Sequence, residues 1–223
     1  FYRPTGELTR VAQEGDREVD ISWVQKRYPI EREVQVAVID SGVDTDHPEL
    51  QGRLWENPDC RFEEKKKCVG WNFLNNSPDV SDDLGHGTHI AGIIASKWDR
   101  LGVAGVGAPQ IQIMPLKVLN KKVDGFVYQG QLMTSRIARA LRYARTHGAD
   151  VVNMSLGWPS VVQTPTFVRE VRETLAAGIS IIVASGNNRK NVPTYPCSME
   201  GVICVGAIDH QGKMAGFSNF GGK

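Results

Sequence analysis

The stretch VAVIDSGVDTDHPEL, residues 36–50, passes from β-branched and apolar side chains into polar ones at Asp40. The apolar run that begins at Val34 and ends at Ile39 predicts a buried β-strand, and the Asp-Ser-Gly sequence after it predicts a turn. A carboxylate at the end of a buried strand is costly unless it is hydrogen-bonded or paired. Asp40 is therefore either a turn residue or one half of a pair, for which a histidine is the natural partner.

The rest of the chain alternates predicted strands with predicted helices. Apolar runs predict strands at residues 111–118, 151–156, 179–185 and 202–207, and apolar residues at helical spacing predict helices at 135–148 and 167–177. A short amphipathic helix is predicted at 21–30 and an exposed charged loop at 58–67. Strands that are apolar without a break indicate an α/β fold, with a mostly parallel central sheet and helices on both faces. Functional side chains are expected at the carboxyl ends of such strands.

A second motif, DDLGHGTHIAGIIAS at residues 82–96, places His86 at the start of a predicted helix. Gly85 breaks the chain before that helix, so His86 can project into the same cleft as Asp40. As a lone residue, His86 would equally fit a surface histidine whose hydrogen bonds are satisfied. Asp82 and Asp83 fit helix-capping or turn residues. If they lined a cleft, they would favour basic residues in a substrate.

Composition excludes several classes of protein. At 223 residues the chain is long enough for one large α/β domain with a hydrophobic core. Its 26 basic and 25 acidic residues nearly balance, which argues against a surface for nucleic acid or for an anionic membrane. No apolar run approaches the length of a membrane span. The first residue is Phe1 and no leader is visible, which suggests a mature protein whose upstream part has been removed.

The four cysteines form two local pairs, Cys60 with Cys68 and Cys197 with Cys204. Four cysteines allow three connectivities, and sequential pairing needs only short loops. Four reduced cysteines in a cytosolic enzyme are the alternative. We expect two disulfides, and hence a secreted or periplasmic protein.

Three motifs in this order, VIDSGVDTDHPEL, GHGTHIAG and VASGN, resemble those of the subtilisin-like serine proteases (subtilases) over about residues 34–219. The resemblance implies a serine endopeptidase that hydrolyses peptide bonds through an acyl-enzyme. It further implies a protein or peptide substrate, a propeptide and no catalytic cofactor. Under this interpretation residues 1–33 are an N-terminal lead-in, and residues 34–223 are part of a subtilase catalytic domain.

The resemblance also assigns catalytic roles. Asp40 matches the aspartate of the catalytic triad, which orients the imidazole, and His86 matches the general base. Asn187 matches the side-chain donor of the oxyanion hole. An asparagine that stabilises its own turn is the alternative for Asn187, because Gly-Asn sequences often form turns.

The resemblance places substrate-binding residues on two walls of a cleft. Ser155, Leu156 and Gly157 match the edge along which family substrates bind as an added β-strand. Gly125 belongs to the segment that matches the opposite wall, where Phe126 and Tyr128 can shape an apolar pocket. Ordinary loops with exposed aromatic residues would explain both segments equally well.

No segment matches the serine motif of the family. Ser185 lies too close to Asn187, and Ser155 belongs to the substrate edge, so neither suits the nucleophile. We therefore expect the fold to be incomplete without a C-terminal segment that carries the serine and covers the middle of the sheet. That complementary fragment would be the rest of a cleaved chain held as a second chain, a part absent from a shortened sequence, or a separately encoded partner. A pseudoprotease that binds a peptide or a partner protein is the alternative function.

The resemblance also allows a structural calcium ion. One common family site needs a longer loop than residues 95–109 provide, which argues against that site. The acidic residues Asp44, Asp46 and Glu49 cluster in the sequence, but turn caps explain them equally well. His89 matches a family position that packs or forms hydrogen bonds, and an HxxH metal pair with His86 is the alternative.

Overall fold

The structure is a computed structural model, and it describes residues 27, 29, 31–58, 68–99, 104–107, 109–121, 130–158, 164–191 and 194–221. Its strands are β1 (Val34–Asp40), β2 (Trp71–Asn72), β3 (Ile111–Lys117), β4 (Val151–Met154), β5 (Ser180–Ala184) and β6 (Ile203–Val205). Its helices are α1 (His86–Ala95), α2 (Gly130–Thr146) and α3 (Pro165–Ala176), and Pro48–Leu50 forms a 3₁₀ turn.

Every strand and helix predicted between residues 34 and 207 is present, with ends that differ by at most five residues. Strand β2 was not predicted, because a strand of two residues is too short to show an alternation of apolar and polar residues. The helix predicted at 21–30 falls almost entirely outside the described residues, as does the loop predicted at 58–67.

The strands form one parallel sheet in the order β2-β3-β1-β4-β5-β6. Strand β1 lies near the centre and pairs with β3 along its whole length, from Val34↔Ile111 to Asp40↔Lys117. On its other side β1 pairs with β4. Since all strands run in one direction, the carboxyl ends of β1, β4 and β5 lie at the same edge of the sheet. The predicted parallel sheet is confirmed.

The two faces of the sheet pack against different helices. Ala37 and Ile39 of β1 belong to a core that includes residues of α2 and α3. Val36 and Val38, which point to the opposite face, belong to a smaller core that includes residues of α1. The prediction of helices on both faces is therefore confirmed.

Helices α2 and α3 follow from local sequence signals. In α2, Ile137, Leu141 and Ala144 recur at helical spacing and are fully buried. Thr164 caps α3, because its hydroxyl oxygen accepts a hydrogen bond of 3.3 Å from the backbone N–H of Phe167. Buried apolar residues of both helices pack against the sheet. This packing stabilises the strands whose carboxyl ends carry the candidate site.

Strand β6 is joined by a disulfide to the segment before it. Cys197 and Cys204 form the bond, which confirms one of the two predicted pairs. The other predicted pair includes Cys60, which lies outside the described residues.

Apolar side chains near the end of the described chain are exposed. Ile203 and Val205 of β6 are 50% and 48% exposed, and they lie on the face that also carries α1, because they pair with Ile182 and Ala184 of β5. We call the following residues the β6 apolar group: Ile203, Val205, Ile208, Met214, Phe217 and Phe220. An exposed group of this kind is typical of a surface that another segment or protein covers.

Candidate active site

Asp40 and His86 meet at the carboxyl edge of the sheet. Asp40 is the last residue of β1 and is completely buried, whereas His86 is the first residue of α1 and its side chain is 46% exposed. His86 Nδ1 lies 2.8 Å from Asp40 Oδ1 and 2.9 Å from Oδ2, although the two residues are 46 positions apart. With Nδ1 bound to the carboxylate, Nε2 is the ring nitrogen that can exchange a proton with a substrate or a nucleophile.

The surroundings of His86 favour its protonated form. The hydrogen bond that His86 donates to the Asp40 carboxylate raises the pKa of His86, burial opposes this, and the negative charges of Asp40 and Asp82 raise it further. Because folding raises this pKa, protonated His86 contributes stability that is fully present below about pH 6.5 and is lost as the pH rises through the folded-state pKa. A base with a raised pKa also accepts a proton more readily.

The first turn of α1 is held by two side chains from outside the helix. Gly85, the N-cap residue, has φ of +85° and offers no side chain for capping. Instead, Asp82 Oδ2 accepts hydrogen bonds from the Thr88 backbone N–H at 2.9 Å and from its hydroxyl at 2.6 Å. Ser41 Oγ donates to Asp82 Oδ1 at 2.8 Å and accepts from the backbone N–H of Gly87 at 2.9 Å. Ser41 follows Asp40, so these bonds fix the start of α1 against the end of β1.

Close backbone contact between α1 and the turn after β1 requires glycine at two positions. A Cβ atom at Gly87 would collide with the carbonyl oxygen of Gly42. Gly42 itself has φ of +102°, and a Cβ atom there would collide with the carbonyl oxygen of Val80. The two glycines allow His86 to approach Asp40 within hydrogen-bonding distance.

Replacing Asp82 by alanine should destabilise the protein by about 1–2 kcal/mol at pH 7, because the first turn of α1 loses its carboxylate cap. Burial raises the pKa of Asp82, but hydrogen bonds from Thr88, Gly85 and Ser41 outweigh it and lower that pKa overall. The stability that Asp82 contributes is therefore fully present above about pH 4 and is lost as the pH falls through the folded-state pKa.

Urea unfolding of the full-length wild type and of the Asp82→Ala variant at pH 7 and pH 3 measures this effect. Asp82→Asn is the matched control, since it keeps one acceptor oxygen and should lose less stability. Equal midpoints for wild type and Asp82→Ala at pH 7 would contradict the capping role.

The Asp83 carboxylate is exposed, but it is paired with a buried lysine. Its Oδ1 accepts a hydrogen bond of 2.9 Å from Nζ of Lys117, which lowers the pKa of Asp83. The structure thus supports the capping interpretation for Asp82, whereas Asp83 forms an ion pair with the buried Lys117, which neither alternative included.

Asn187 lies in the loop after β5 and is exposed. The buried residue Asn219 fastens this loop. Its Oδ1 accepts hydrogen bonds from the backbone N–H groups of Asn188 and Lys190, at 2.9 and 3.1 Å. Its Nδ2 donates to the carbonyl oxygen of Ser185 at 3.0 Å. The loop of Asn187 therefore has a defined conformation at the same edge of the sheet as Asp40.

The residues predicted as a substrate edge directly follow β4. Leu156 is 9% exposed, and Ser155 and Gly157 on either side of it are partly buried. The Ser155 hydroxyl oxygen accepts a hydrogen bond from Nδ2 of Asn153 at 3.0 Å. Gly125 of the predicted opposite wall lies outside the described residues, as do Phe126 and Tyr128.

Neither of the two serines considered as the nucleophile, Ser155 and Ser185, forms a hydrogen bond with His86. Ser155 pairs with Asn153, and the hydroxyl of Ser185 donates to the carbonyl oxygen of Asn219 at 3.2 Å. Within the described part of the chain, the hydrogen bonds of the His86 ring go to Asp40.

Comparison with known proteins decides the family. Residues 31–223 match the model of the subtilase family. The chain belongs to this family. The subtilases are serine proteases and need no catalytic cofactor, so the Asp40–His86 pair lies in a protein of a known chemical class.

The chain is also similar to individual subtilases in sequence and in structure. It is 36% identical over 188 residues to a thermophilic serine proteinase of Bacillus sp. (strain AK1), covering 84% of this chain and 41% of that protein. It is 35% identical over 188 residues to Subtilisin Savinase of Lederbergia lenta, covering 84% of this chain and 60% of that protein. The crystal structure of a cold adapted subtilisin-like serine proteinase matches it with a TM-score of 0.67 at 26% identity, covering 96% of this chain and 67% of that one. The chain thus spans less than two thirds of these curated relatives.

The acidic cluster considered for calcium forms turn contacts in this subtilase. The Asp44 carboxylate accepts a hydrogen bond of 3.0 Å from the backbone N–H of Asp46, as a turn cap does. In the parts of the chain that the structure describes, no group of three or more His, Cys, Asp or Glu side chains is arranged to hold a metal ion. None of the described helices is long and apolar enough to cross a membrane.

Three residues around the site were not singled out by sequence reasoning. They are Ser41, which bonds Asp82 and the first turn of α1; Asn219, which fastens the loop of Asn187; and Lys117, which bonds Asp83. The position of Ser41 next to Asp40 is a signal that could have revealed its role. Asn219 and Lys117 act on distant segments, and nothing in their own neighbourhood in the sequence indicates it.

Proposed function

We propose that this subtilase is a serine endopeptidase to which the described chain contributes Asp40, His86 and Asn187. One observation carries the proposal: the buried carboxylate of Asp40 holds Nδ1 of a half-exposed imidazole at 2.8 Å, at the carboxyl edge of a parallel sheet. A carboxylate in this position fixes the tautomer of the imidazole and stabilises the imidazolium that forms during acyl transfer.

In the proposed reaction, His86 Nε2 takes the proton of a serine hydroxyl as the serine oxygen attacks the scissile carbonyl carbon. The proton then passes to the leaving amine as the C–N bond breaks, which leaves an acyl-enzyme. A water molecule attacks the acyl-enzyme in the same way and gives its proton to His86. His86 returns the proton to the serine oxygen as the ester bond breaks and the carboxyl product leaves.

Asn187 and the segment after β4 would act on the substrate. The Asn187 amide would donate a hydrogen bond to the oxygen on which negative charge develops. Ser155, Leu156 and Gly157 would offer backbone groups to an extended peptide, and Gly125 would contribute to the opposite wall. Backbone pairing of this kind binds peptides with little dependence on their sequence.

The nucleophilic serine would lie on a complementary C-terminal segment beyond residue 223, so that the 223 residues alone would be inactive. Three observations support this proposal. Neither Ser155 nor Ser185 is bonded to His86. The chain spans 41% of one curated relative and 60% of another, and the β6 apolar group offers a surface for the remaining part to cover.

The disulfide between Cys197 and Cys204 supports a secreted or periplasmic location, because disulfides persist in oxidising compartments. A propeptide, as the family resemblance implies, belongs to the same proposal. So does the division into a lead-in at residues 1–33 and a partial catalytic domain at 34–223. A structural calcium ion, which the family resemblance allows, also belongs to this proposal, because Ca²⁺ accepts backbone carbonyl oxygens as ligands as well as carboxylates.

Replacing Asn187 by alanine should lower kcat for peptide hydrolysis by the full-length protein about 10²–10³-fold, with little change in KM. This is the known size of the effect of an oxyanion donor in a subtilisin. Asn188→Ala is the matched control, since the neighbouring side chain is exposed and has no assigned role.

Steady-state hydrolysis of a peptide library by wild type and both variants tests the proposed function. Equal kcat values for wild type and Asn187→Ala would contradict the role of Asn187. Peptide binding without any hydrolysis by the wild type would replace the endopeptidase with the pseudoprotease alternative.

A further inference from the structure

Lys117 is a buried cation that the proposed chemistry does not use. It is the last residue of β3, and its side chain is only 6% exposed. Burial of an ammonium group is strongly unfavourable unless the group is paired and hydrogen-bonded. Nζ of Lys117 donates to the carbonyl oxygen of Ser41 at 2.5 Å and to Asp83 Oδ1 at 2.9 Å. Both bonds are therefore needed to keep the charge inside the protein.

These two bonds connect three segments that converge on the catalytic pair. Lys117 lies opposite Asp40 in the register between β1 and β3. Its first partner, Ser41, directly follows Asp40 in the sequence, and its second partner, Asp83, lies three residues before His86. The end of β1 and the segment leading into α1 are thus fastened to the same ammonium group.

A second set of hydrogen bonds, which does not include Lys117, also joins the end of β1 to the start of α1. The hydroxyl of Ser41 donates to Asp82, which caps α1 through Thr88. Without Lys117, the Ser41 carbonyl would lose this ammonium partner, and the Asp83 side chain would keep the hydrogen bond of 3.2 Å that its Oδ2 accepts from the backbone N–H of Lys121. Lys117 holds these two groups, so the turn after Asp40 is fixed through its backbone as well as through its side chain.

We propose that Lys117 is a positioning residue, which holds Asp40 and His86 at hydrogen-bonding distance by binding the Ser41 carbonyl and the Asp83 carboxylate together. Its effect on catalysis rests on the proposed function, whereas its effect on the geometry of the pair does not. A displacement of about 1 Å in a reacting group can cost about 100-fold in rate, so a modest loosening is enough to be measurable.

Lys117→Met is the variant that separates this role from the stability of the fold. Methionine has a similar length and is well tolerated in buried sites. The remaining partner, Asp83, has a side chain that is 45% exposed and can be solvated by water once the cation is gone. The reverse variant, Asp83→Asn, would leave a buried cation unpaired and is expected to destabilise the protein strongly. The exposed Lys121, four residues further along, gives the matched control Lys121→Met.

The readout is the pKa of His86 in the full-length protein, measured by NMR titration of its imidazole nitrogens. The charged groups around His86 are Asp40 from β1 and Asp82 from the segment before α1, with Asp83 and Lys117 behind them. Two roles of Lys117 predict opposite changes. Loss of a nearby positive charge alone would raise the pKa of His86, whereas loosening of the hydrogen bond to Asp40 would lower it.

We expect Lys117→Met to lower the pKa of His86 towards about 6.5 and to reduce kcat at least about tenfold with little change in KM. Lys121→Met should change neither quantity. If Lys117→Met fails to fold, the double variant Lys117→Met/Asp83→Asn, which leaves no unpaired charge, serves the same measurement.

An unchanged or raised pKa of His86 in Lys117→Met, or an equal fall in Lys121→Met, would overturn the positioning role. The titration does not depend on activity. A wild-type protein without peptidase activity, in which Lys117→Met still lowers the pKa of His86, would therefore support the positioning role and contradict the proposed function.

Discussion

Replacing His86 by alanine should reduce kcat for peptide hydrolysis by the full-length protein about 10⁶-fold, the size of loss that removal of the general base causes in a subtilisin. The reason is that the imidazole is the group that removes and returns the proton of the attacking serine. Asp40 cannot replace it, because its carboxylate is completely buried and reaches the cleft only through the imidazole.

His89→Ala is the matched control for this variant. His89 lies one turn further along α1 and is exposed, and the sequence assigns it no catalytic role. Single-turnover hydrolysis of a chromogenic peptide should show near wild-type rates for His89→Ala. A His86→Ala variant that retains more than about a hundredth of wild-type activity, with its fold intact, would exclude His86 as the general base.

Replacing Asp40 by asparagine should reduce kcat by about 10⁴-fold, the size of loss that this substitution causes in a chymotrypsin-type protease, while leaving KM nearly unchanged. The asparagine side chain occupies the same volume but cannot hold the imidazole in the required tautomer. It also removes the interaction that contributes most to the raised pKa of His86, so this pKa should fall. Two independent quantities, the rate and the pKa, therefore change together.

The corresponding control is Asp44→Asn, at an exposed carboxylate in the turn that follows. NMR titration of His86 and steady-state kinetics should both give values close to those of the wild type for Asp44→Asn. A folded Asp40→Asn variant with an unchanged pKa of His86 would show that the 2.8 Å bond does not determine the state of the imidazole.

Much of the architecture could be predicted because its signals are local. Strand β1 is an unbroken apolar run, and α2 carries its buried residues at helical spacing, so neither needed information from distant segments. Asp40 and His86 were predicted because each lies in a long motif, and the parallel order of β1, β4 and β5 then brings the ends of these strands to one edge.

The supporting roles of Lys117 and Asn219 could not be predicted, because they depend on register and on contacts between distant segments. Lys117 reaches Ser41 only because β3 pairs with β1 in the register Asp40↔Lys117. Asn219 fastens the loop of Asn187 from 31 residues beyond Asn188, its hydrogen-bond partner. A lysine or an asparagine at such a position has no distinctive pattern around it.

The central claim is that Asp40 and His86 activate a serine that lies outside residues 1–223. Labelling the full-length protein with a fluorophosphonate, which forms a covalent bond only with an activated nucleophile, and mapping the adduct by mass spectrometry tests this claim most directly. The expected result is one adduct on a serine beyond residue 223, formed by the wild type and absent in His86→Ala. An adduct on Ser155 or Ser185, or equal labelling of His86→Ala, would contradict the claim.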